Sequence, residues 1–190
     1  MNGLKRPIKG ILLSFMCILV WFLWIVINVS PQICSAGEPW GIYVERIEDT
    51  GGLERCKICG KIIRIGSIHM DAELIVENHL KNTLKDMEIN FIDGRGTDRY
   101  IHVFIYRFIE RIGGNLAVER PASVGLHIHL IEKNNNLKKV YVFDETQQAL
   151  SQNVFKLRSF LKRRARWLTA SELAEEGIYE ALQTLKEDLR

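Results

Sequence analysis

Between Ile11 and Val29 the chain carries no charged residue for 19 positions, and only Ser14 and Asn28 are strongly polar. As a helix this run is about 28 Å long at roughly 1.5 Å per residue, close to the ~30 Å hydrocarbon core of a bilayer. A buried core helix is a poor alternative. The run is apolar all round, with Phe15, Trp21, Phe22 and Trp24 spread over its faces, and it sits at the start of the chain. Lys5, Arg6 and Lys9 precede it. By the positive-inside rule that flank stays in the cytoplasm and everything after Val29 is delivered across the membrane. The expected organisation is therefore a flank and anchor or signal segment over 1–29, a linker over 30–40 with Pro31, Gly37 and Pro39, and an extracytoplasmic domain over 41–190.

Three fates are open for the anchor. The apolar region is longer than the roughly 7–15 residues of a cleaved signal, which favours an uncut anchor. Cys34-Ser35-Ala36 offers a cleavage site before Gly37. Lipidation of Cys34 requires a lipobox, and Pro31 and Ile33 stand where Leu and a small residue belong, so no lipid is expected on Cys34.

Charge narrows the function classes. Three of the 26 basic residues, Lys5, Arg6 and Lys9, lie in the flank, and the other 23 equal the 23 acids. A nucleic-acid binder carries a basic excess on its domain, so no nucleic-acid partner is expected.

Periodicity predicts an α+β domain, a mixed three- to five-stranded sheet with helices packed on it. GIYVERIE (41–48) reads as a short strand and DTGGLERCKICGK (49–61) as a loop. KIIRIG (61–66) and EINFID (88–93) read as strands. The helix between them, capped by Asp71 and striped by Met70, Leu74, Leu80, Leu84 and Met87, with Ile75 and Val76 widening the stripe, would make them a parallel βαβ pair. YIHVFIYRFIE (100–110) is β-branched and aromatic on both faces, as a central strand is. SVGLHIHLIE (123–132) alternates, with Val124, Leu126, Ile128 and Leu130 on one face and Ser123, Gly125, His127 and His129 on the other. KVYVFDE (139–145) returns antiparallel. One helix carries Leu150, Val154, Leu157 and Leu161. The last opens on Thr169-x-x-Glu172, a capping box, and carries Ala174, Ile178, Ala181, Leu185 and Leu189.

Chemistry concentrates in three places. CKICGK sets Cys56 and Cys59 at the CxxC spacing that lets two thiolates face one ion. The chain has no second CxxC, but His127 and His129 share a strand face and complete a conceivable Cys56/Cys59/His127/His129 metal site. A redox dithiol wants its first cysteine at a helix N-terminus, and here Gly60 and a strand follow. Outside the cytoplasm a Cys56–Cys59 disulfide is the leading expectation, with no metal and no cofactor. The stretch RFIERIGGNLAVERPASVG (107–125) groups Arg107, Arg111 and Arg120 around Gly113-Gly114. It leads into no helix N-terminus, so it reads as a strand connection whose glycines take positive φ. Lys156, Arg158, Lys162, Arg163, Arg164 and Arg166 form a basic patch, with Arg158, Lys162 and Arg166 in one row at i, i+4, i+8; it reads as a solvated face partly neutralised by Glu172, Glu175, Glu176 and Glu180, the alternative being a membrane- or partner-facing patch.

No Ser/His/Asp or HExxH arrangement, Walker loop or Rossmann fingerprint is present, so no catalytic residue is assigned and no enzyme is expected. The stretches GGNLAVERPASVGLHIHL, VFDETQQALSQNVFKL and RWLTASELAEEGIYEAL, within 113–182, resemble a family of uncharacterised bacterial envelope proteins, often lipoproteins. The order of elements is more loosely similar to small α/β outer-membrane accessory lipoproteins. That resemblance implies an envelope accessory role, tethered to the membrane through 11–29 and acting on a protein partner or the envelope surface. The alternative is a thiol-redox or metal-binding envelope protein using Cys56 and Cys59.

Overall fold

The strand 100–110 was expected at the centre, and it lies there. In the computed structural model, which describes residues 38–48, 51–96, 98–113, 118–147 and 166–190, β5 (Tyr100–Ile109) is the middle of a five-stranded mixed sheet. The sheet runs in the order β4-β1-β5-β8-β9. Strand β1 (Trp40–Arg46) lies parallel to both β5 and β4 (Phe91–Asp93). Strands β8 (Ser123–Glu132) and β9 (Asn136–Thr146) follow antiparallel, joined by a turn in which Asn134 and Asn135 take positive φ. Asparagine tolerates that conformation better than most residues.

Two helices cover one face. Helix α1 (Ala72–Asp86) and helix α2 (Ala170–Thr184) pack against Ile42, Ile101, Val103, Ile105, Leu126, Ile128 and Leu130, all buried. A fully buried side chain of this kind stabilises by about 1.5–3 kcal/mol through burial, so this face carries most of the fold's cohesion. Gly177 is what lets α2 approach so closely, because a Cβ there would lie 2.5 Å from the ring of Phe143. The short α3 (Lys186–Leu189) closes the chain, and Trp40 Nε1 donates to Leu189 O at 2.9 Å. The capping box is present as read: Thr169 Oγ1 accepts from Glu172 N, and the Glu172 carboxylate accepts from Thr169 N. Ala174, Ile178, Ala181, Leu185 and Leu189 are all buried.

Three local expectations are corrected. The stretch 49–61 is not all loop, because β2 (Gly52–Arg55) forms an antiparallel hairpin with β3 (Ile62–Ile65). That pairing removes β3 from the main sheet, so it is not the parallel partner of β4. The first strand of the βαβ unit is β1, and the crossover passes through the hairpin and then α1. The stripe of α1 is also offset. Ala72, Val76, Leu80 and Leu84 are buried, while Met70 is 76% and Leu74 61% exposed. Asp71 sits at the N-cap without a side-chain capping bond.

The hairpin is an excursion from the edge of β5. Ile47 N still donates to Ile105 O where β1 ends, and Gly66 N donates to Tyr106 O where β3 returns. Between these two feet the chain folds over the sheet face opposite the helices. It buries only a small cluster there, Cys56, Ile63, Ile65 and Tyr106, with Ile47, Cys59 and Phe104 at the edge. The strand connection 107–125 holds a second small hairpin, β6 (Ile112–Gly113) with β7 (Val118–Arg120). Gly113 has φ +101°, as its reading required. Among the described residues no helix is long and apolar enough to cross a membrane. The run 11–29, Cys34 and the helix over 150–161 lie outside the described residues.

Candidate metal centre

The face under the hairpin is built from alternate residues of β5 and β8. Side chains two apart on a strand share a face, so His127 and His129 point together toward the hairpin. The hairpin presents its thiols in a tight turn. Cys56 N donates to Lys61 O at 2.9 Å and Gly60 N to Cys56 O at 2.8 Å. Gly60 takes φ +71° to make this turn.

The two pairs meet. Cys56 Sγ lies 3.5 Å from His129 Nε2, and Cys59 Sγ lies 3.5 Å from His127 Nδ1. One donor atom from each of the four residues falls within 4.8 Å of the others. A tetrahedral zinc ion with bonds of about 2.3 Å to sulfur and about 2.0–2.1 Å to nitrogen would set sulfur and nitrogen roughly 3.5–3.6 Å apart. Both thiol–imidazole distances match that edge.

Electrostatics also suit ligation. Burial holds His127 down to about 4 and His129 to about 3, with Lys61 adding to the first and His102 and His127 to the second. Both imidazoles are therefore neutral at pH 7 and keep a lone pair for a cation. Burial raises the Cys59 thiol, so it stays protonated unless a metal draws the proton off. Cys56 and Cys59 are both free thiols.

A ring of polar and aromatic groups surrounds the four donors. His102 pairs with His129 across β5 and β8, and their rings stack at 5.4 Å. Tyr43 stacks on the other side of His102 at 5.3 Å. Glu45 Oε1 lies 3.1 Å from His102 Nε2, and His102 Nδ1 stays unsatisfied. Burial lowers the pKa of His102 against the pull of Glu45. Tyr106 meets His127 edge-on at 5.1 Å, and its hydroxyl donates to Asp144 Oδ2 at 3.0 Å. Burial and Asp144 push the Tyr106 phenol up. Gly125 makes room for that ring, since a Cβ there would lie 2.3 Å from Tyr106 Cε2.

The other sequence candidates stay apart from this centre or lie beyond view. Arg107 ion-pairs with Asp144, and Arg111 donates to Trp167 O at 2.9 Å. Lys156, Arg158, Lys162, Arg163 and Arg164 lie outside the described residues, whereas Arg166 pairs with Glu172 at 2.8 Å. His102, Glu45 and Tyr106 were not singled out from the sequence. Their signal was the same-face spacing of His102, Phe104 and Tyr106 in β5, which a strand apolar on both faces conceals.

The molecule is thus an α+β domain with a Cys2His2 donor cluster between a CxxC hairpin and the sheet. Neither a protein-family model nor a curated protein matches the chain. Solved structures similar to it include a dodecamer of a PelC point variant from Paraburkholderia phytofirmans, at 14% identity and TM-score 0.44, over 78% of this chain and 90% of that one. Protein XCC0632 from Xanthomonas campestris, of family DUF330, follows at 13% identity and TM-score 0.43, over 84% and 93%. Lipoprotein GNA1162 from Neisseria meningitidis follows at 8% and 0.36, over 67% and 99%. The likeness is to their fold outline alone.

Proposed function

We propose that the chain is a membrane-tethered envelope accessory domain organised by a structural zinc ion held by Cys56, Cys59, His127 and His129. The observation that carries the metal reading is the pair of 3.5 Å thiol–imidazole distances within one four-donor cluster. Two thiolates with two imidazoles suit zinc among the divalent metals. Four protein ligands fill a tetrahedral shell and leave no position for substrate, so the ion would support the fold rather than catalyse. An isolated two-stranded hairpin is marginal in water, and β2 and β3 have four residues each. Zinc would fasten that hairpin to the sheet. The tether rests on Lys5, Arg6 and Lys9 ahead of the uncharged run 11–29.

A Cys56–Cys59 disulfide, favoured from composition and compartment, accounts for less. It would leave two buried, neutral histidines facing sulfurs that no longer donate or ligate well. The purified full chain decides between the readings. The metal reading expects one zinc per chain, and a cobalt-exchanged sample with the visible bands of a tetrahedral thiolate–imidazole site. A metal-free chain in which Cys56 and Cys59 resist alkylation until reduced would overturn it.

A further inference from the structure

The hairpin that carries the thiols turns a second face away from the sheet. In the β2–β3 register Leu53 lies opposite Arg64 and Arg55 opposite Ile62. Directly opposed residues of an antiparallel pair share a face, so these four side chains form one outward patch of alternating apolar and cationic groups. Their opposites turn inward, and Ile63 and Ile65 are buried. Leu53 is 67% and Ile62 64% exposed. The turn extends the patch with exposed Lys57, Ile58 and Lys61. Over 52–65 the only acid is Glu54, half-buried on the inward side.

Several cations elsewhere on the domain are matched by carboxylates. Lys81 bonds Glu77 and Asp93, Lys138 bonds Glu132, and Lys139 bonds Asp188. On the hairpin, Arg55 donates to Gly60 O. Among the described residues no salt bridge engages Lys57, Lys61 or Arg64. A surface that combines unmatched cations with exposed aliphatic side chains fits the boundary between phosphate headgroups and acyl chains, where the cations meet phosphate and the aliphatic groups leave water.

We propose that the outward face of the β2–β3 hairpin is a contact surface for anionic phospholipid headgroups of the bilayer to which the chain is tethered. The inference rests on the tethered reading above. Residues 30–39 separate the uncharged run from β1, and ten extended residues reach about 33–36 Å. Strand β1 has seven residues, about 23 Å at ~3.3 Å each. A linker of that contour length is longer than the strand, so it permits the hairpin to reach the bilayer.

The test uses the zinc-loaded full chain reconstituted in bilayers of zwitterionic lipid alone or mixed with anionic phospholipid. Amine acetylation rates are read by mass spectrometry at Lys57 and Lys61, with exposed Lys85 of α1 as reference. Anionic lipid should slow Lys57 and Lys61 at least fivefold and leave Lys85 unchanged. The double substitution Leu53→Glu with Ile62→Glu should abolish the slowing while zinc content is retained. Equal rates in the two lipids, with the chain still floating with the bilayer and still holding zinc, would overturn this surface and leave the zinc and tether readings standing. Slowing of Lys85 to the same extent would also overturn it. A chain that does not float with bilayers would overturn both the surface and the tether.

Discussion

The two faces of the central sheet are held by different physics. Under the helices, Ile101, Val103, Ile105, Leu126, Ile128 and Leu130 meet Val76, Leu80, Leu173 and Ile178 in a core without charged groups. Under the hairpin, the same strands offer His102, Tyr106, His127 and His129 to two cysteines and a few aliphatic side chains. Burial alone suffices on the first face. On the second, polar atoms are taken out of water with few partners: His129 Nδ1 and His102 Nδ1 have no hydrogen bond, and Glu45 is the carboxylate beside His102 Nε2. Such groups cost stability unless something satisfies them. A cation in the proposed site would engage the two thiolates with His127 Nδ1 and His129 Nε2, and would leave those orphaned nitrogens as they are. The same strands therefore present one face packed by apolar burial and one polar face whose four convergent donors the proposed ion would engage.

The sharpest way to break this contrast is to cut neighbouring residues of β8. Leu126→Ala on the helix face should cost about 3–5 kcal/mol, the range for a large-to-small change in a packed core. It should lower the denaturant midpoint of the whole domain without altering the slope. Gly125→Ala, one residue away, strikes the other face, where a Cβ would meet the Tyr106 ring. Overpacking of this kind costs about 1–3 kcal/mol, and here it should also weaken zinc retention in a competition with a chelator. Equal zinc retention in both variants would show that the two faces are not separable in this way.

Acid sharpens the same comparison. In the metal-free chain, burial holds His127 near 4 and His129 near 3, below the ordinary value of 6.5. The folded state then binds fewer protons than the unfolded chain below about pH 6.5. The stability contributed by keeping these imidazoles neutral is complete above about pH 6.5 and falls as pH drops through 4 toward 3. Thermal melts of the metal-free protein from pH 7 to pH 4 should show this decline, and a His127→Gln/His129→Gln variant should show less of it. A flat profile in the parent would contradict the burial assigned to these rings.

The smallest effect lies on the helix side. Thr169→Ala removes the N-cap of α2 and should cost about 1 kcal/mol, with no change in bound zinc. A loss of zinc in this variant would mean that the faces communicate through the sheet.

How much of this was legible in the sequence depends on the range of the interaction. Alternation over 123–132 assigned both faces of β8, and the β-branched run 100–110 marked the central strand. The Thr169–Glu172 capping box is a four-residue signal and was found as read. The βαβ partner was missed because Ile62–Ile65 pairs with a four-residue strand that begins at Gly52, itself at positive φ, and short pairings leave little pattern. In α1, Met70 and Leu74 continue an apolar stripe but face water, since tertiary placement decides which side of a stripe is covered. Cys56, Cys59, His127 and His129 could be named as candidates from spacing. They could also be grouped as one conceivable site, but not preferred over a disulfide, because Cys56 and His129 stand 73 positions apart and meet through the path of the hairpin over β5.

The central claim is that a metal ion fastens the hairpin to the sheet, and hydrogen exchange across the full chain before and after chelation tests it most directly. Removing the ion should speed exchange of the amides of 52–65 by roughly tenfold or more, a local opening of at least about 1.4 kcal/mol. Amides of β8 hydrogen-bonded to β5 should keep their protection, and adding back one equivalent of zinc should restore the hairpin. Exchange over 52–65 that is the same with chelator, with zinc and in the parent preparation would contradict the account.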